Sequence, residues 1–130
     1  GGCFDVLHPG HVIFLQKAKK EGDILAVLLE SDKKVRELKG RGRPIHTQKE
    51  RALILSALAA VDCVYLLPYF EKDQQYDALI EKIKPDVIAA TAGDDFHQQR
   101  VAKKVGAKLK IVTKKIGNYS SSKILQSTVQ

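Results

Sequence analysis

Short apolar runs alternate along the chain with longer stretches in which apolar residues recur every three or four positions. Residues 24–29, 61–67, 87–90 and 109–112 have the length and composition of buried strands. The stretches between them read as helices. Residues 11–20 set Val12, Leu15 and Lys19 on neighbouring turns, with Phe14 and Ala18 beside them. Residues 47–60 open with Thr47-Gln48-Lys49-Glu50, a pattern in which side chains and backbone cap each other, and continue with Leu53, Ile54, Ala57 and Leu58 at helical spacing. Residues 74–83 carry Leu79, Ile80 and Ile83 and stop before Pro85, because proline drives the residue ahead of it out of the helical region. Residues 120–126 read as a short last helix.

Strands alternating with helices imply an α/β domain with a mostly parallel sheet. The expected form is a Rossmann-like, doubly wound sheet in three α/β/α layers, with right-handed crossovers. Ligands of such sheets bind at the carboxyl ends of the strands, where the strand order reverses. The chain opens on a glycine loop that belongs there, so a further strand is expected ahead of Gly1 at the sheet centre. The 130 residues fit one domain, 1–130, and the absence of Met makes the chain read as a piece cut from a longer one.

Composition narrows the class. Hydrophobic residues at 44% and charged residues at 28% exclude disordered, collagen-like and disulfide-scaffold proteins. No run approaches the roughly 20 apolar residues of a membrane-spanning helix. The first residues carry no secretory signal, and Cys3 and Cys63 form no CxxC pair. A cytoplasmic protein without a membrane partner is expected.

Charge then points to a partner. Lys and Arg number 22 against 15 Asp and Glu, a net +7. One basic stretch comprises Lys33, Lys34, Arg36, Lys39, Arg41 and Arg43, and residues 96–130 hold eight Lys or Arg and no acid. Most such residues are expected on a solvated face. Nucleic-acid surfaces interleave aromatics that stack on bases. Aromatics are 6% here, and none lies within the Lys39–Arg43 cluster. A small polyphosphate is the better partner than a nucleic acid, whose binding would betray itself by steep salt dependence without turnover.

The chemistry concentrates in Gly1-Gly2-Cys3-Phe4-Asp5-Val6-Leu7-His8-Pro9-Gly10-His11. Gly2 lets backbone approach a ligand closely, and Pro9 and Gly10 suit a helix start. His11 then lies in a first turn whose amides and dipole favour phosphate. His8 and His11, three apart, can both point at such a group and donate to oxygens that gain charge in a transition state. The pair is also half of a zinc site, but no other two ligands are evident. The loop is neither a Walker loop nor a GxGxxG turn.

The loop resembles the GxFDxxHxGH signature of the nucleotidyltransferase superfamily that carries the His-x-Gly-His motif, the cytidylyltransferase-like proteins. Further segments resemble that superfamily in order. These are the basic stretch Leu38-Lys39-Gly40-Arg41-Gly42-Arg43-Pro44-Ile45, the pair Glu50-Arg51 followed by Val61-Asp62, and Tyr119-Ser120-Ser121-Ser122-Lys123-Ile124. Within it, the chain looks most like the adenylyltransferase domain of the bacterial heptose-phosphate pathway, then the glycerol-3-phosphate cytidylyltransferases and archaeal FAD synthetases. Lys115 stands where the cytidylyltransferases carry Arg, which keeps the charge and loses the fork.

The resemblance implies transfer of AMP or CMP from a nucleoside triphosphate to a phosphorylated small molecule, without a covalent enzyme intermediate, by positioning and charge neutralisation. It implies His8, His11 and Lys39 as catalytic groups. Gly2, Cys3, Phe4, Asp5, Gly10, Arg51, Gly93, Asp94, Ser120, Ser121 and Ser122 are implied nucleotide-binding positions. Asp5 equally suits loop orientation, Cys3 suits an inert position, and Gly93-Asp94-Asp95 a turn ahead of a helix. Mg²⁺ bridging phosphates, and a homodimer, are implied as well. A non-catalytic nucleotide sensor is the alternative; the intact His8, His11, Arg51 and serine run speak against it. The stretch 69–76, from Tyr69 to Tyr76, matches no motif and suits an acceptor pocket or a dimer contact.

Overall fold

The computed structural model describes residues 1–93 and 95–114. Its elements run α1 (Pro9–Lys19), β1 (Ala26–Leu29), α2 (Asp32–Lys39), α3 (Gln48–Ser56), β2 (Cys63–Leu66), α4 (Asp73–Ile83), β3 (Val87–Thr91), α5 (Phe96–Val105) and β4 (Lys108–Thr113). All four expected strands are present. β1 pairs in parallel with β2, Ala26 opposite Cys63, and β3 pairs in parallel with β4, Val87 opposite Lys108. Parallel neighbours need crossovers, which the helices supply. The class is therefore α/β, as the alternation predicts.

The strands form two pairs rather than one continuous ladder. Between them run the first residues of the chain. Gly2 makes a parallel bridge to Leu29, its N–H donating to Leu28 O and its carbonyl accepting from Glu30 N, both at 3.0 Å. Leu29 O accepts instead from Leu67, so Gly2 lies on the edge of β1 away from β2. The glycine loop thus leaves the sheet at the carboxyl end of β1.

The main core gathers Phe4, Leu15, Val27, Leu29, Leu55 and Val61, from the glycine loop, α1, β1 and α3. Strand burial is less uniform than the apolar runs suggest. β2 exposes Cys63, Tyr65 and Leu66, because it has β1 on one edge only and α3 against it. In α3 the buried residues are Arg51 and Leu55, while Leu53 and Ile54 face outward. The helix also ends earlier than expected, at Ser56, where Ala57, Leu58 and Val61 donate to carbonyls three residues back and tighten the chain into turns. The predicted cap is present: Glu50 N donates to Thr47 Oγ1 and Thr47 N to Glu50 Oε1.

Helix α2 occupies ground that reads as loop in the sequence. It is short, strongly charged and buries only Val35, so no apolar periodicity marks it. Ser31 caps it and Gly40, at φ 100°, closes it. Lys39 accordingly stands at a helix end rather than in the basic loop. Asp62, the acid of the Val-Asp motif, accepts from Lys19 Nζ at 2.6 Å and Leu25 N at 2.7 Å, tying the end of α1 to the start of β1.

Helices α4 and α5 are joined by an ion pair. Asp77 is buried and accepts two hydrogen bonds from the Arg100 fork, at 2.9 and 2.8 Å, and one from Lys104 at 3.1 Å. Arg100 does most to lower its pKa to about 2, with Lys104 assisting against the opposing effect of burial. A depressed carboxyl stabilises the fold above its unfolded pKa and loses that contribution as pH falls toward 2. Asp77→Ala is expected to cost about 2 kcal/mol at pH 7 in urea unfolding, and the cost should shrink as the wild type is titrated below pH 4.

Candidate active site

Beyond Gly2 the backbone is strained. Phe4 and Val6 have φ of 49° and 58°, a region that a branched side chain such as Val occupies only under constraint. A Cβ on Gly2 would stand 3.0 Å from the Phe4 ring, so a side chain there requires the ring to shift. The constraint between the two strained residues is Asp5. Its buried carboxylate accepts from Arg43 Nε at 2.8 Å, Ile45 N at 2.8 Å and His46 N at 3.0 Å. Burial pushes the carboxyl up, but Arg43 and the two amides together outweigh it and hold Asp5 below the usual range. Of the two roles open to Asp5, nucleotide contact and loop orientation, these contacts serve the second.

The two imidazoles cap α1 reciprocally. His8 is the N-cap; its Nδ1 accepts from Gly10 N at 3.1 Å, and His11 Nδ1 accepts from His8 N at 3.3 Å. The rings stack with centroids 3.8 Å apart. A ring nitrogen that accepts carries no hydrogen, so the network assigns the proton of each neutral ring to Nε2. Burial lowers the His8 pKa, and burial, then His8 and Lys39, lower that of His11 to about 4. At neutral pH two uncharged Nε2–H donors therefore stand side by side.

This differs from the expected helix-terminus site in one respect. Pro9 has no N–H, Gly10 N is taken by His8, and the amides of His11 and Val12 donate to His8 O. The imidazoles, not first-turn amides, present the donors. Gly10 is the amide that orients His8.

An open cleft of about 320 Å³ brings Gly2, Cys3, Phe4 and Gly10 together with both histidines, facing β3 residues 89–91 and Lys114. Lys39 is exposed, and its charge reaches both His11 and Cys3. Burial nevertheless raises the Cys3 thiol, which keeps it protonated and inert. Gly93 lies in the turn after β3, at φ 86°. Asp94, Lys115, Ser120, Ser121, Ser122 and the expected helix over 120–126 lie outside the described residues.

Arg51 departs most from the sequence reading. Its side chain is 0% exposed and faces no ligand space. Nε donates to His46 O at 3.0 Å, Nη1 to Cys3 O at 2.7 Å and Glu30 O at 3.0 Å, and Nη2 to Asp32 Oδ1 at 2.7 Å. Four of its five N–H groups join the glycine loop, the end of β1, the start of α2 and the basic loop. These contacts serve a positioning role, and Arg51 does not line the cleft.

Several residues of the site carry no sequence signal. Arg43 is buried against Asp5, although in the sequence it is one more member of a basic run. Gln48 Nε2 bridges Leu29 O at 3.0 Å and Leu67 O at 2.8 Å, locking the carboxyl ends of β1 and β2 together. Glu30 had a usable signal: an acid placed directly after a buried apolar strand, at the edge where ligands bind.

Two outcomes follow. Arg51→Lys cannot reproduce the fork and is expected to lower unfolding stability by about 3 kcal/mol, read from urea titration; loss of nucleotide affinity with stability intact would contradict this geometry. For His11 the native pKa lies below the unfolded value. Its contribution to stability is therefore full above about pH 6.5 and lost as pH falls toward 4. A melting-temperature profile should decline over that window, and less so in His11→Asn.

Comparison with known proteins agrees with this geometry. The cytidylyltransferase-like family matches residues 1–127. The chain is 51% identical over 100 residues to the bifunctional protein HldE of Wolinella succinogenes, covering 77% of this chain and 20% of that protein. It is 43% identical over 126 residues to HldE of Helicobacter hepaticus, covering 97% and 25%. It thus spans a fifth to a quarter of the length of these relatives. Among solved structures, the lipopolysaccharide core biosynthesis protein from Thermoplasma volcanium superposes with a TM-score of 0.68 at 30% identity, over 92% of this chain and 93% of that one. The chain belongs to the cytidylyltransferase-like family.

Proposed function

We propose that this chain carries out nucleotidyl transfer, moving AMP from ATP to a sugar 1-phosphate, a heptose 1-phosphate best fitting the resemblance. The observation that carries the reading is the pair of neutral, stacked imidazoles whose Nε2–H groups stand at the end of α1. In the transfer, an oxygen of the acceptor phosphate bonds to the α-phosphorus. The bond from that phosphorus to the bridging β-oxygen breaks, and pyrophosphate leaves with its electron pair. Charge grows on the α-phosphate and on the leaving oxygen. Uncharged donors fixed before the reaction stabilise that charge without reorganising. Lys39 adds a mobile positive charge from the rim. No nucleophilic side chain is needed, which accords with a protonated Cys3.

Similarity to the bifunctional HldE proteins and to a lipopolysaccharide core biosynthesis protein supports this reading. Mg²⁺ is part of the proposal and, when bound, neutralises triphosphate charge. Among the described residues no three His, Cys, Asp or Glu gather as a metal site. The proposed ion rides on the phosphates with its own waters. A homodimer is proposed too, supported by the exposed Leu53 and Ile54 of α3 and Tyr65 and Leu66 of the adjoining β2. A cytoplasmic setting is supported by the free Cys3 and Cys63. No helix among the described residues is long and apolar enough to cross a membrane.

The test uses the full-length protein and follows Mg²⁺-dependent pyrophosphate release from ATP and CTP. The acceptor panel holds heptose 1-phosphate, glycerol 3-phosphate and FMN. Release is expected with ATP and heptose 1-phosphate; release with another pair, or none, overturns the assignment. His11→Ala is expected to lower kcat about 10²- to 10³-fold while circular dichroism stays native; an unchanged kcat would remove the imidazoles from the reaction.

A further inference from the structure

Glu30 is the first residue beyond β1, and its backbone is fixed on both sides, N–H to Gly2 O and carbonyl to Arg51, each at 3.0 Å. Its half-buried carboxylate meets the Tyr76 hydroxyl with both oxygens, at 3.0 and 2.9 Å. One phenolic proton satisfies one lone pair of about four, so the carboxylate keeps acceptor capacity. Lys34, whose charge acts on Glu30, links the Glu30–Tyr76 pair to a second ring, Tyr69. Lys34 Nζ lies 5.0 Å from the Tyr69 ring and 5.8 Å from the Tyr76 ring, and Lys33 Nζ lies 4.2 Å from Tyr69. The Tyr69 hydroxyl is held by Glu37. Tyr69 and Tyr76 are the ends of the stretch that matches no motif.

Through its backbone Glu30 is bonded to Gly2, which lines the cleft with the histidines. Glu30 and Lys39 both act electrostatically on the Cys3 thiol, and Lys39 acts on His11 as well. The carboxylate therefore sits beside the same glycine loop as the imidazoles, on its β1 side. A carboxylate repels phosphates, so the triphosphate and the acceptor phosphate go to the histidines and Lys39. What a fixed carboxylate beside an aromatic ring takes is a set of hydroxyl donors on an otherwise uncharged ring. Two substrates present such hydroxyls, the acceptor sugar and the nucleotide ribose. Gly93, a position the resemblance gives to the nucleotide, follows β3, whose residues 89–91 face the glycine loop across the cleft, and this leaves the β1 side to the acceptor.

We propose that Glu30, held in place by Tyr76, determines acceptor specificity by accepting hydrogen bonds from the acceptor sugar's hydroxyls. The inference rests on the proposed transfer to a sugar 1-phosphate. It assigns these two residues to reading the sugar and leaves the chemical step to the histidines.

The experiment compares full-length wild type with Glu30→Gln and Tyr76→Phe, using heptose 1-phosphate, a deoxygenated sugar 1-phosphate, ATP and 3′-deoxy-ATP. Sites built to bond a substrate hydroxyl discriminate strongly against its absence, so Glu30→Gln should raise the heptose 1-phosphate KM about tenfold or more. The preference over the deoxygenated acceptor should shrink with it. ATP Kd, its ratio to that of 3′-deoxy-ATP, and Tm should stay near wild type. Tyr76→Phe should move the same KM in the same direction by less. An unchanged acceptor KM overturns the inference. So does a change confined to the ATP against 3′-deoxy-ATP ratio, which would assign the carboxylate to the ribose. A lower Tm with both substrates weakened alike would make Glu30–Tyr76 a strut and overturn it as well. Wild-type protein that binds ATP yet transfers to no sugar phosphate overturns the proposed function itself, and this inference with it.

Discussion

Four N–H groups of one guanidinium reach His46, Cys3, Glu30 and Asp32, and among the described residues no other side chain joins as many parts of the site. Burying an Arg costs several kcal/mol in lost hydration, and the cost is offset only when the charge and the N–H groups are all met. Arg51 meets them with three backbone carbonyls and one carboxylate. The dependence runs both ways: without the fork, three carbonyls lose their partner inside the protein. Asp5 completes the arrangement from the other side by gripping Arg43 and the amides of Ile45 and His46. Between these two clamps the glycine loop holds backbone angles that Phe4 and Val6 would not adopt freely.

That rigidity gives the imidazoles their meaning. A chain of net charge +7 could hold phosphate with lysines alone. Lysines, however, bind ground state and transition state alike and move with their long stems. Two rings that cap each other and stack at 3.8 Å are fixed in place before any ligand arrives. Their low pKa values keep them neutral, so they donate hydrogen bonds without tightening on every anion. Under the proposed function, charge is left to the exposed Lys39, whose field reaches His11. Fixed neutral donors beside an exposed cation suit a transfer that works by positioning and charge neutralisation.

Exposed apolar surface and the unmatched stretch between Tyr69 and Tyr76 show where the chain has freedom. Neither belongs to the clamps. Tyr76 reaches back to Glu30 from α4, so the segment after β2 contributes to the wall beside the glycine loop rather than to the core. Variation there can change what lies beside the imidazoles without disturbing them.

Much of the molecule was written locally. Apolar runs marked all four strands and period-3.6 patterning three of the helices, the helices because each buries a face whose spacing is set by its own geometry. The capping box at Thr47 and Glu50, and the placing of His8 and His11 across a helix start, are likewise short-range facts. Helix α2 escaped notice because one buried Val makes no period. What residue order could not decide was the fate of identical charges. Arg43 and Arg51 look like their solvated neighbours until the chain folds, and only then do Asp5, Asp32 and three backbone carbonyls converge on them. The same holds for Glu30, whose partner Tyr76 lies 46 residues away. A side chain's spacing fixes which face it shares, but burial and hydrogen-bond partners are properties of contacts far apart in sequence, and those the tertiary structure alone supplied.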